Sequence, residues 1–350
     1  MIHVGIDLHH RNSYIRAMDD RGEVFPGRRV HHTNLDELWQ YLGQFGTGPK
    51  RVVFEATANA RWMRRVLAAD PTIEPVAVTP HKVRIIAETV AKTYKIDATI
   101  LAMLSRMDAL PRAWLPDDAV EELREQTRYR LDLVQLRTRA KNHLNGVLIR
   151  GGLLRPQTDV FGVHGRVWLA QLQLPPVMRR QVDGWLAAID FYQGQIEAVE
   201  KILYGEMAGS PRWTEDLKLL RTIPGVGRLT ALTILAELGD YRRFRRRGAV
   251  AAFAGLVPTS KRSDQSVHYG RLTRRGPAAL RRILVEVCLV AIRAVPRYGK
   301  VYTRLKAAKR GNVAKAAVAR QMLEDAWTIL MKREAFRFEP ERPELVTRVG

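Results

Sequence analysis

The first hundred residues alternate between short apolar runs and longer amphipathic stretches. Five short runs are typical of strands: HVGIDLH, NSYIRAMD, EVFPGRRV, RVVFEAT and EPVAVTP. Two amphipathic stretches are typical of helices: LDELWQYLGQFG and ARWMRRVLAAD. Because three strands come first and the remaining strands alternate with helices, the pattern predicts a mixed sheet with helices on its faces.

Two long helices are predicted in the middle of the chain. The first starts at a Pro-Asp cap at residue 116 and stops at Gly151-Gly152; the second spans about residues 176–207. Apolar residues recur along the second at alternating spacings of three and four: Val182, Trp185, Ile189, Tyr192, Ile196, Val199 and Leu203. This seam is typical of a coiled coil. It can close against the first long helix or against another chain, and we expect association between protomers because both segments look extended.

The remaining sequence is helical, glycine-rich and basic, and ends in a proline-containing tail. We therefore predict four segments: a first domain at 1–112, a long helical coiled-coil and dimerisation region at 113–210, a basic domain at 211–335 and an extended tail at 336–350.

Charge is distributed unevenly along the chain. The net formal charge is +22, with 28 Lys and Arg against 24 Asp and Glu in residues 1–210, but 30 against 12 in residues 211–350. This asymmetry favours a polyanion as partner of the second half. A membrane surface is the alternative, but the basic clusters lie among glycines and not on an amphipathic helix with exposed aromatic residues. Nucleic acid is the better prediction.

Nothing in the composition indicates export or membrane insertion. The longest apolar runs fall well short of the roughly 20 residues that span a bilayer, and the start, MIHVGIDLHHRN, lacks the features of a signal peptide. Cys288 is the single cysteine, so no disulfide can form within the chain. We expect a soluble, cytoplasmic protein with no membrane partner.

Three acids occupy positions where carboxylates can serve a metal. Asp7 and Glu55 lie near the ends of apolar strands, and Asp97 lies on a predicted helix. Acids gathered at one edge of a sheet bind hard cations such as Mg²⁺ through oxygen, and a metal site of this kind assists phosphoryl transfer. The alternative is that Asp7 and Glu55 cap turns while Asp97 is solvated.

The basic half contains a phosphate-binding candidate, the turn IPGVG at residues 223–227. Its glycines can let a backbone approach a phosphate, and the following helix directs its N–H groups towards it; a plain glycine turn is the alternative. Together with the nearby basic clusters, it gives these candidates for nucleic-acid binding: Gly225, Gly227, Arg228, Arg242, Arg243, Arg245, Arg246, Lys261, Arg262, Arg271, Arg274 and Arg275.

The order of several motifs carries a family resemblance. The pieces VGIDLH, VVFEAT, VAVTPHKVR and KTYKIDATILA resemble the amino-terminal domain of the DEDD-type insertion-sequence transposases. The segments LRTIPGVGRLTALTILAELGDYRRF and AAFAGLVPTSKRSDQSVHYGRLTRRGPAALRRILVEV resemble the serine-bearing domain of the same family. The family includes pilin-gene DNA invertases. The resemblance implies an α/β RNase H-like (RuvC-like) first domain. The residues themselves predict a mostly α-helical last domain, in which IPGVG has the form of a helix-hairpin-helix turn.

The resemblance also assigns roles to the acids. It implies that Asp7, Glu55 and Asp97 bind Mg²⁺ or Mn²⁺. The family's remaining acid falls on Tyr94, whose phenol is neutral at pH 7 and a poor Mg²⁺ ligand. A site that works with one metal, compensation by Glu88 and impaired chemistry are the three alternatives.

Ser263 matches the family's catalytic serine, although Asp264 stands where a small residue is usual. The resemblance implies that Ser263 attacks a DNA phosphodiester and forms a covalent phosphoserine, with Lys261, Arg262 and Arg271 stabilising the phosphate charge. A serine in a nucleic-acid-binding loop is the alternative.

The sequence thus predicts a DNA transposase or site-specific recombinase, in which a metal-assisted serine cuts and rejoins DNA. The resemblance further implies guidance by a non-coding bridge RNA and a homodimer or tetramer. Two alternatives remain: a RuvC-like nuclease that uses water, and a catalytically impaired nucleic-acid-binding relative, which Tyr94 favours.

Overall fold

The structure, a computed structural model, describes residues 1–87, 94–154, 159–263, 266–273, 275–308 and 311–338. Within these ranges the side chains are described except at 86–87, 94–97, 206, 260–263 and 266–269. The chain divides into two compact units, Met1–Leu115 and Pro116–Gly350. The finer division predicted inside the second unit stays a prediction.

A five-stranded sheet forms the centre of the first unit. Its strands are β1 (Ile2–Leu8), β2 (Asn12–Met18), β3 (Arg28–His31), β4 (Lys50–Glu55) and β5 (Ile73–Val78). They are arranged in the order β3-β2-β1-β4-β5, with antiparallel pairing among β1, β2 and β3 and parallel pairing of β4 with both β1 and β5. The predicted mixed sheet is confirmed. Strand β3 is shorter than EVFPGRRV because Pro26 has no N–H to donate to a ladder.

Helices α1 (Asp36–Gly43) and α2 (Ala60–Leu67) pack on one face of this sheet. Alternate residues of a strand point to the same face, so the apolar positions of β1 and β4 form one buried layer with the two helices. This layer consists of Val4, Ile6, Leu8, Val52, Phe54, Leu38, Leu42, Met63 and Leu67.

The opposite face carries α4 (Tyr94–Arg106), which follows α3 (Pro80–Ala87) in the chain. Its apolar side, including Leu101, packs against Val53 of β4 and neighbouring residues of β5. Where α4 crosses β1, a Cβ atom on Gly5 would lie 1.9 Å from the Ala98 carbonyl oxygen. Glycine is therefore required at this position, because any larger residue would separate the helix from the sheet.

The second unit begins with a pair of long helices. Helix α5 (Asp118–Arg150) starts at Asp117, whose side chain accepts a hydrogen bond from the Val120 N–H at 2.9 Å. Helix α6 (Val163–Gln171) follows, and α7 (Pro176–Ile202) returns along α5. The predicted Pro-Asp start and Gly-Gly stop of α5 are both confirmed.

The apolar seam of α7 faces α5 of the same chain. Val182 and Ile189 are buried against α5 residues that include Leu144 and Leu148. Three polar or aromatic pairs show that the helices run antiparallel: Arg130 with Glu200 at 2.7 Å, Arg137 with Gln193, and His143 stacked on Trp185 at 4.5 Å between ring centroids. Of the two alternatives for the seam, the structure therefore has closure within one chain and not the expected closure between protomers.

The rest of the second unit is predominantly helical, as predicted. Its helices are α8 (Pro211–Leu220), α9 (Arg228–Leu238), α10 (Arg247–Phe253), α11 (Ala278–Ala294), α12 (Pro296–Ala308) and α13 (Gly311–Lys332). A π-helical turn at Leu203–Met207 and a 3₁₀ turn at Tyr241–Arg243 connect some of them. The tail predicted at 336–350 lies outside the described residues from 339 onwards. In the described part of the chain, no helix combines the length and apolarity needed to cross a bilayer.

Helix α9 lies at the centre of this unit, with every residue from Thr230 to Leu238 buried. Its Glu237 carboxylate, 1% exposed, accepts two hydrogen bonds from the Arg128 guanidinium of α5, at 2.7 and 2.8 Å. A buried carboxylate is tolerated only when it is paired in this way, so the interaction fixes α5 on α9.

Candidate active site

Two of the predicted acids lie at the carboxyl ends of neighbouring parallel strands. Asp7 is the penultimate residue of β1, and Glu55 is the last residue of β4. Because Ile6 and Phe54 are partners in the register, Asp7 and Glu55 occupy the next position along both strands. They face away from the buried Ile6 layer, on the side of α4. Paired strands are about 4.8 Å apart, so the two carboxylates project from adjacent positions.

The backbone of α4 brings the third acid position to the same face. Asp97 directly precedes Ala98, whose carbonyl oxygen approaches Gly5, and Gly5 and Asp7 share one face of β1. The sheet and α4 thus place all three predicted acid positions on one side of the sheet. The side chains of Tyr94 and Asp97 lie outside the described residues, and so does the whole of Glu88.

A short network connects the loops beside the two strand ends. His9 Nε2 lies 3.2 Å from Asp7 Oδ2, and the Asn59 side-chain amide donates to the His9 carbonyl at 2.6 Å. Thr57 donates to the Asn59 side-chain oxygen at 2.9 Å. The loop after β1 is therefore tied to the loop after β4. Gly5, His9 and Asn59 were not identified from the sequence, because their roles depend on contacts between segments distant in the chain.

The donor atoms at this edge fit a hard divalent cation. Asp7 is 16% exposed, so its carboxylate is held in place yet accessible, and oxygen donors are those that Mg²⁺ prefers. Among the side chains that the structure describes, a set that excludes Asp97, no three His, Cys, Asp or Glu groups converge on one point. Two carboxylates with room for water and phosphate ligands are a common arrangement for Mg²⁺.

The two glycines of the predicted phosphate-binding turn differ in backbone conformation and in surroundings. Gly225 has φ +87°, and a Cβ there would lie 2.9 Å from the Val287 carbonyl oxygen of α11. Gly225 therefore serves the packing of α11, and its predicted part in phosphate binding stays a prediction. Gly227 is the N-cap of α9, is exposed and has open space where a side chain would be. An anion can reach the N–H groups of the first turn of α9 at this position.

Most of the predicted arginines near this turn are exposed. Arg228, the first residue of α9, lies over the Tyr204 ring at 5.6 Å from its centroid. Arg242, Arg245 and Arg246 are exposed in the segment that connects α9 to α10. These side chains are available to the backbone of a nucleic acid.

Arg243 differs from its neighbours. Its guanidinium lies over Phe244 at 4.1 Å and over Phe253 at 4.7 Å from the ring centroids, and it donates to the Leu238 carbonyl at 3.3 Å. Burial, followed by the nearby charge of Arg124, lowers the pKa of Arg243 to about 10. Arg243 thus stays charged at neutral pH and stabilises the end of α9, and its predicted role in nucleic-acid binding stays a prediction.

The segment that carries Ser263 is a β-hairpin. Strand β6 (Pro258–Ser263) pairs antiparallel with β7 (Ser266–Leu272), and Ser263 is the partner of Ser266 at the end of the ladder. Ser263 is therefore the last paired residue before the tip.

The remaining predicted basic residues lie on or beside this hairpin. Arg271 on β7 and Arg275 beyond it are exposed. The side chains of Lys261 and Arg262 lie outside the described residues, and so does the whole of Arg274. Their roles remain predictions.

The base of the hairpin is fastened by Arg281 of α11. Its Nη1 donates to the carbonyl oxygens of Ala254 at 2.9 Å and of Gly276 at 3.0 Å, with longer contacts to the carbonyls of residues 275 and 277. Gly276 has φ +85°, and a Cβ there would lie 1.8 Å from the Phe253 carbonyl oxygen. Arg281 and Gly276 therefore hold the segment that follows the hairpin against α10.

Two stretches of the chain match known families. Residues 4–150 match the family of DEDD transposases of the IS110 type, and residues 217–303 match the transposase IS116/IS110/IS902 family. The first stretch includes Asp7, Glu55 and Asp97, and the second includes Gly225 and Ser263.

Several proteins are similar to this chain, some of them over nearly their whole length. A probable family 20 transposase of Pseudomonas aeruginosa is 23% identical over 349 residues, which cover 95% of this chain and 98% of that protein. The transposase for insertion sequence element IS1111A of Coxiella burnetii is 26% identical, over 95% of this chain and 91% of that protein. The pilin gene-inverting protein of Moraxella bovis is 26% identical over 132 residues, 36% of this chain and 40% of that protein.

Proposed function

We propose, because the chain belongs to the IS110/IS116 family of transposases, that it cuts and rejoins DNA through Ser263 with the help of a divalent metal held by Asp7, Glu55 and Asp97. A transposase of this family acts on DNA. The observation that carries the proposal is the placement of Asp7 and Glu55 at adjacent strand ends, on the face that α4 covers.

The architecture supports the finer assignments made from the resemblance. A five-stranded mixed sheet with acids at the ends of β1 and β4 agrees with an RNase H-like, RuvC-like first unit. The antiparallel pairing of α5 with α7 along an alternating apolar seam agrees with a coiled coil. Helix α8, the 223–227 turn and α9 agree with a helix-hairpin-helix-like element.

In this mechanism the two units contribute different groups to one phosphate. Ser263 Oγ attacks phosphorus, the strand oxygen leaves, and the phosphate stays on the serine until a hydroxyl of another strand displaces it. Mg²⁺ or Mn²⁺ at the acids would lower the pKa of the attacking hydroxyl and polarise the phosphate. The exposed arginines around α9 and the hairpin hold the DNA backbone in place.

We also propose that the chain binds a guide RNA and acts as a homodimer or tetramer. Basic residues spread over the second unit suit a second polyanion as well as DNA. Because the α7 seam is closed by α5, contacts between protomers need other surfaces. Phe191 on α7 and Tyr129 on α5 are 61% and 48% exposed and are candidates for such contacts.

The proposal is tested by strand exchange on a plasmid that carries the ends of the element, with the guide RNA transcribed from the same element and Mg²⁺. We expect recombined product from the natural chain and at least a hundredfold less from Asp7→Asn, because an amide cannot replace a carboxylate as metal ligand. Asp36→Asn, which makes the same change at an exposed acid on α1, is the matched control and should retain activity. Equal activity of Asp7→Asn and the control would contradict the proposal.

Tyr94 favours a second candidate, a nucleic-acid-binding relative with impaired chemistry. Replacing Tyr94 with aspartate should increase Mg²⁺-dependent recombination several-fold, because Tyr94 and Asp97 are three residues apart on α4 and share a helix face. Recombination rates at several Mg²⁺ concentrations, with Tyr94→Phe as control, measure this effect. Activity that exists only in Tyr94→Asp would favour the impaired relative over an active transposase.

A further inference from the structure

The acids at the strand ends belong to a longer polar row. In the sheet register Asp7 is the partner of Tyr14 on β2, and Tyr14 is the partner of Arg29 on β3. Residues paired across strands point to the same face. The row Glu55, Asp7, Tyr14 and Arg29 therefore crosses four adjacent strands, on the side of the sheet that carries α4.

A cavity lies at the β2–β3 end of this row. Its volume is about 250 Å³, and its lining among the described residues consists of His9, Asn12, Tyr14 and Arg29. The lining provides an exposed guanidinium, a phenol, an imidazole and an amide, all of which can donate hydrogen bonds to an anion. Gly27 lets the chain pass close to the Tyr14 hydroxyl, since a Cβ there would lie 2.3 Å from it, and so keeps the phenol in place.

We propose that this cavity binds a backbone phosphate of the same nucleic-acid strand that is cut at the acids, with Arg29 as its principal ligand. The inference rests on the proposed function, because it names a substrate contact of the same site. Arg29 stands two strand spacings from Asp7, about 10 Å. A strand rises about 3.4 Å along the helix axis per nucleotide and also winds around it, so the phosphate at Arg29 is within about three nucleotides of the scissile one.

The chemistry of the row selects a phosphodiester chain over a small anion or a protein. Carboxylates at one end repel a phosphate unless a cation lies between them, whereas Arg29 attracts a phosphate directly. A continuous strand satisfies both ends, since one phosphate reaches the metal while a neighbouring phosphate reaches the arginine. Tyr14, between the two, can donate to a phosphate oxygen or contact a sugar.

Tethered cleavage of bound DNA tests this placement without requiring catalysis. Cys288 is buried, so a cysteine introduced at the surface can be labelled selectively with an iron–EDTA reagent that cleaves nearby DNA. Asn12→Cys places the reagent in the cavity. Arg28→Cys is the matched control, because Arg28 is exposed but points to the opposite face of β3 from Arg29. The probe is a duplex that carries the element ends, assembled with the guide RNA.

We expect the reagent at residue 12 to cut the probe within about three nucleotides of the exchange point, at least fivefold more strongly than the reagent at residue 28. Equal or absent cutting from residue 12, in a complex that a gel shift shows to be formed, would overturn the inference alone. Cutting from residue 12 in a complex that never undergoes Ser263-dependent cleavage would overturn the proposed function and leave only the phosphate contact in the cavity standing.

A second measurement uses substitutions that leave the acids intact. Arg29→Ala should slow cleavage of the probe about tenfold, the effect of losing one charge-assisted hydrogen bond, whereas Arg28→Ala should stay within about twofold of the natural chain. A neutral methylphosphonate placed in turn at each phosphate within about three nucleotides of the exchange point should, at one position, slow the natural chain similarly but have no further effect on Arg29→Ala. Additive losses would overturn the contact, and circular dichroism establishes that each variant is folded.

Discussion

Replacing Ser263 with alanine is expected to abolish DNA strand cleavage, with a loss of at least about a thousandfold. The expected loss is large because no other group in the proposed mechanism forms the bond to phosphorus. The structure places Ser263 at the end of β6, where it pairs with Ser266. The measurement is cleavage of end-labelled element DNA under single-turnover conditions with excess protein.

Ser266→Ala is the matched control, because it removes the same hydroxyl from the opposite strand at the same level of the hairpin. It should retain cleavage within about threefold of the natural chain, since alanine changes little in a two-stranded ladder. Retained nicking by Ser263→Ala would instead support the RuvC-like alternative, in which water attacks the phosphate.

Replacing Gly5 with alanine is expected to destabilise the first unit by about 1–3 kcal/mol, the usual cost of overpacking a well-packed interior. The added methyl would meet the Ala98 carbonyl oxygen at 1.9 Å, so α4 must move away from β1. Because Asp97 directly precedes Ala98, we also expect Mg²⁺-dependent cleavage to fall at least tenfold. Urea unfolding and cleavage rates measure the two effects.

Gly43→Ala is the matched control in the same unit. Gly43 ends α1 and has open space around the position of a Cβ. Alanine there should be neutral or stabilising by up to about 1 kcal/mol, because it restricts the unfolded chain. A Gly5→Ala variant as stable and as active as this control would show that the close contact of α4 with β1 is not needed.

The five strands of the first unit could be predicted because apolar runs, separated by turns and amphipathic helices, determine them locally. The positions of Asp7 and Glu55 at strand ends followed from the same pattern. Their adjacency did not, because the order of strands in a sheet depends on long-range packing. The role of Gly5 could not be predicted either. The sequence shows a glycine in a strand, but not the carbonyl oxygen of Ala98 whose close approach requires glycine there.

In the second unit the apolar seam of α7 could be predicted from the sequence, but the helix that packs against it could not. Alternating apolar spacing shows that a face must be covered, and an intramolecular or intermolecular helix satisfies that requirement equally. Pairs such as Arg130 with Glu200 identify α5 as the partner. The hairpin at Ser263 was missed because PTSKRS contains no apolar alternation, and Arg281 was missed because its acceptors are backbone carbonyls of other segments.

The proposed mechanism requires that the metal-binding acids and Ser263 act on one phosphate. The most direct measurement is a denaturing gel of labelled element-end DNA incubated with the natural chain, Asp7→Asn and Ser263→Ala, each with and without Mg²⁺. We expect a covalent protein–DNA band only for the natural chain with Mg²⁺. A band of undiminished intensity from Asp7→Asn, or from the natural chain without a divalent metal, would contradict it.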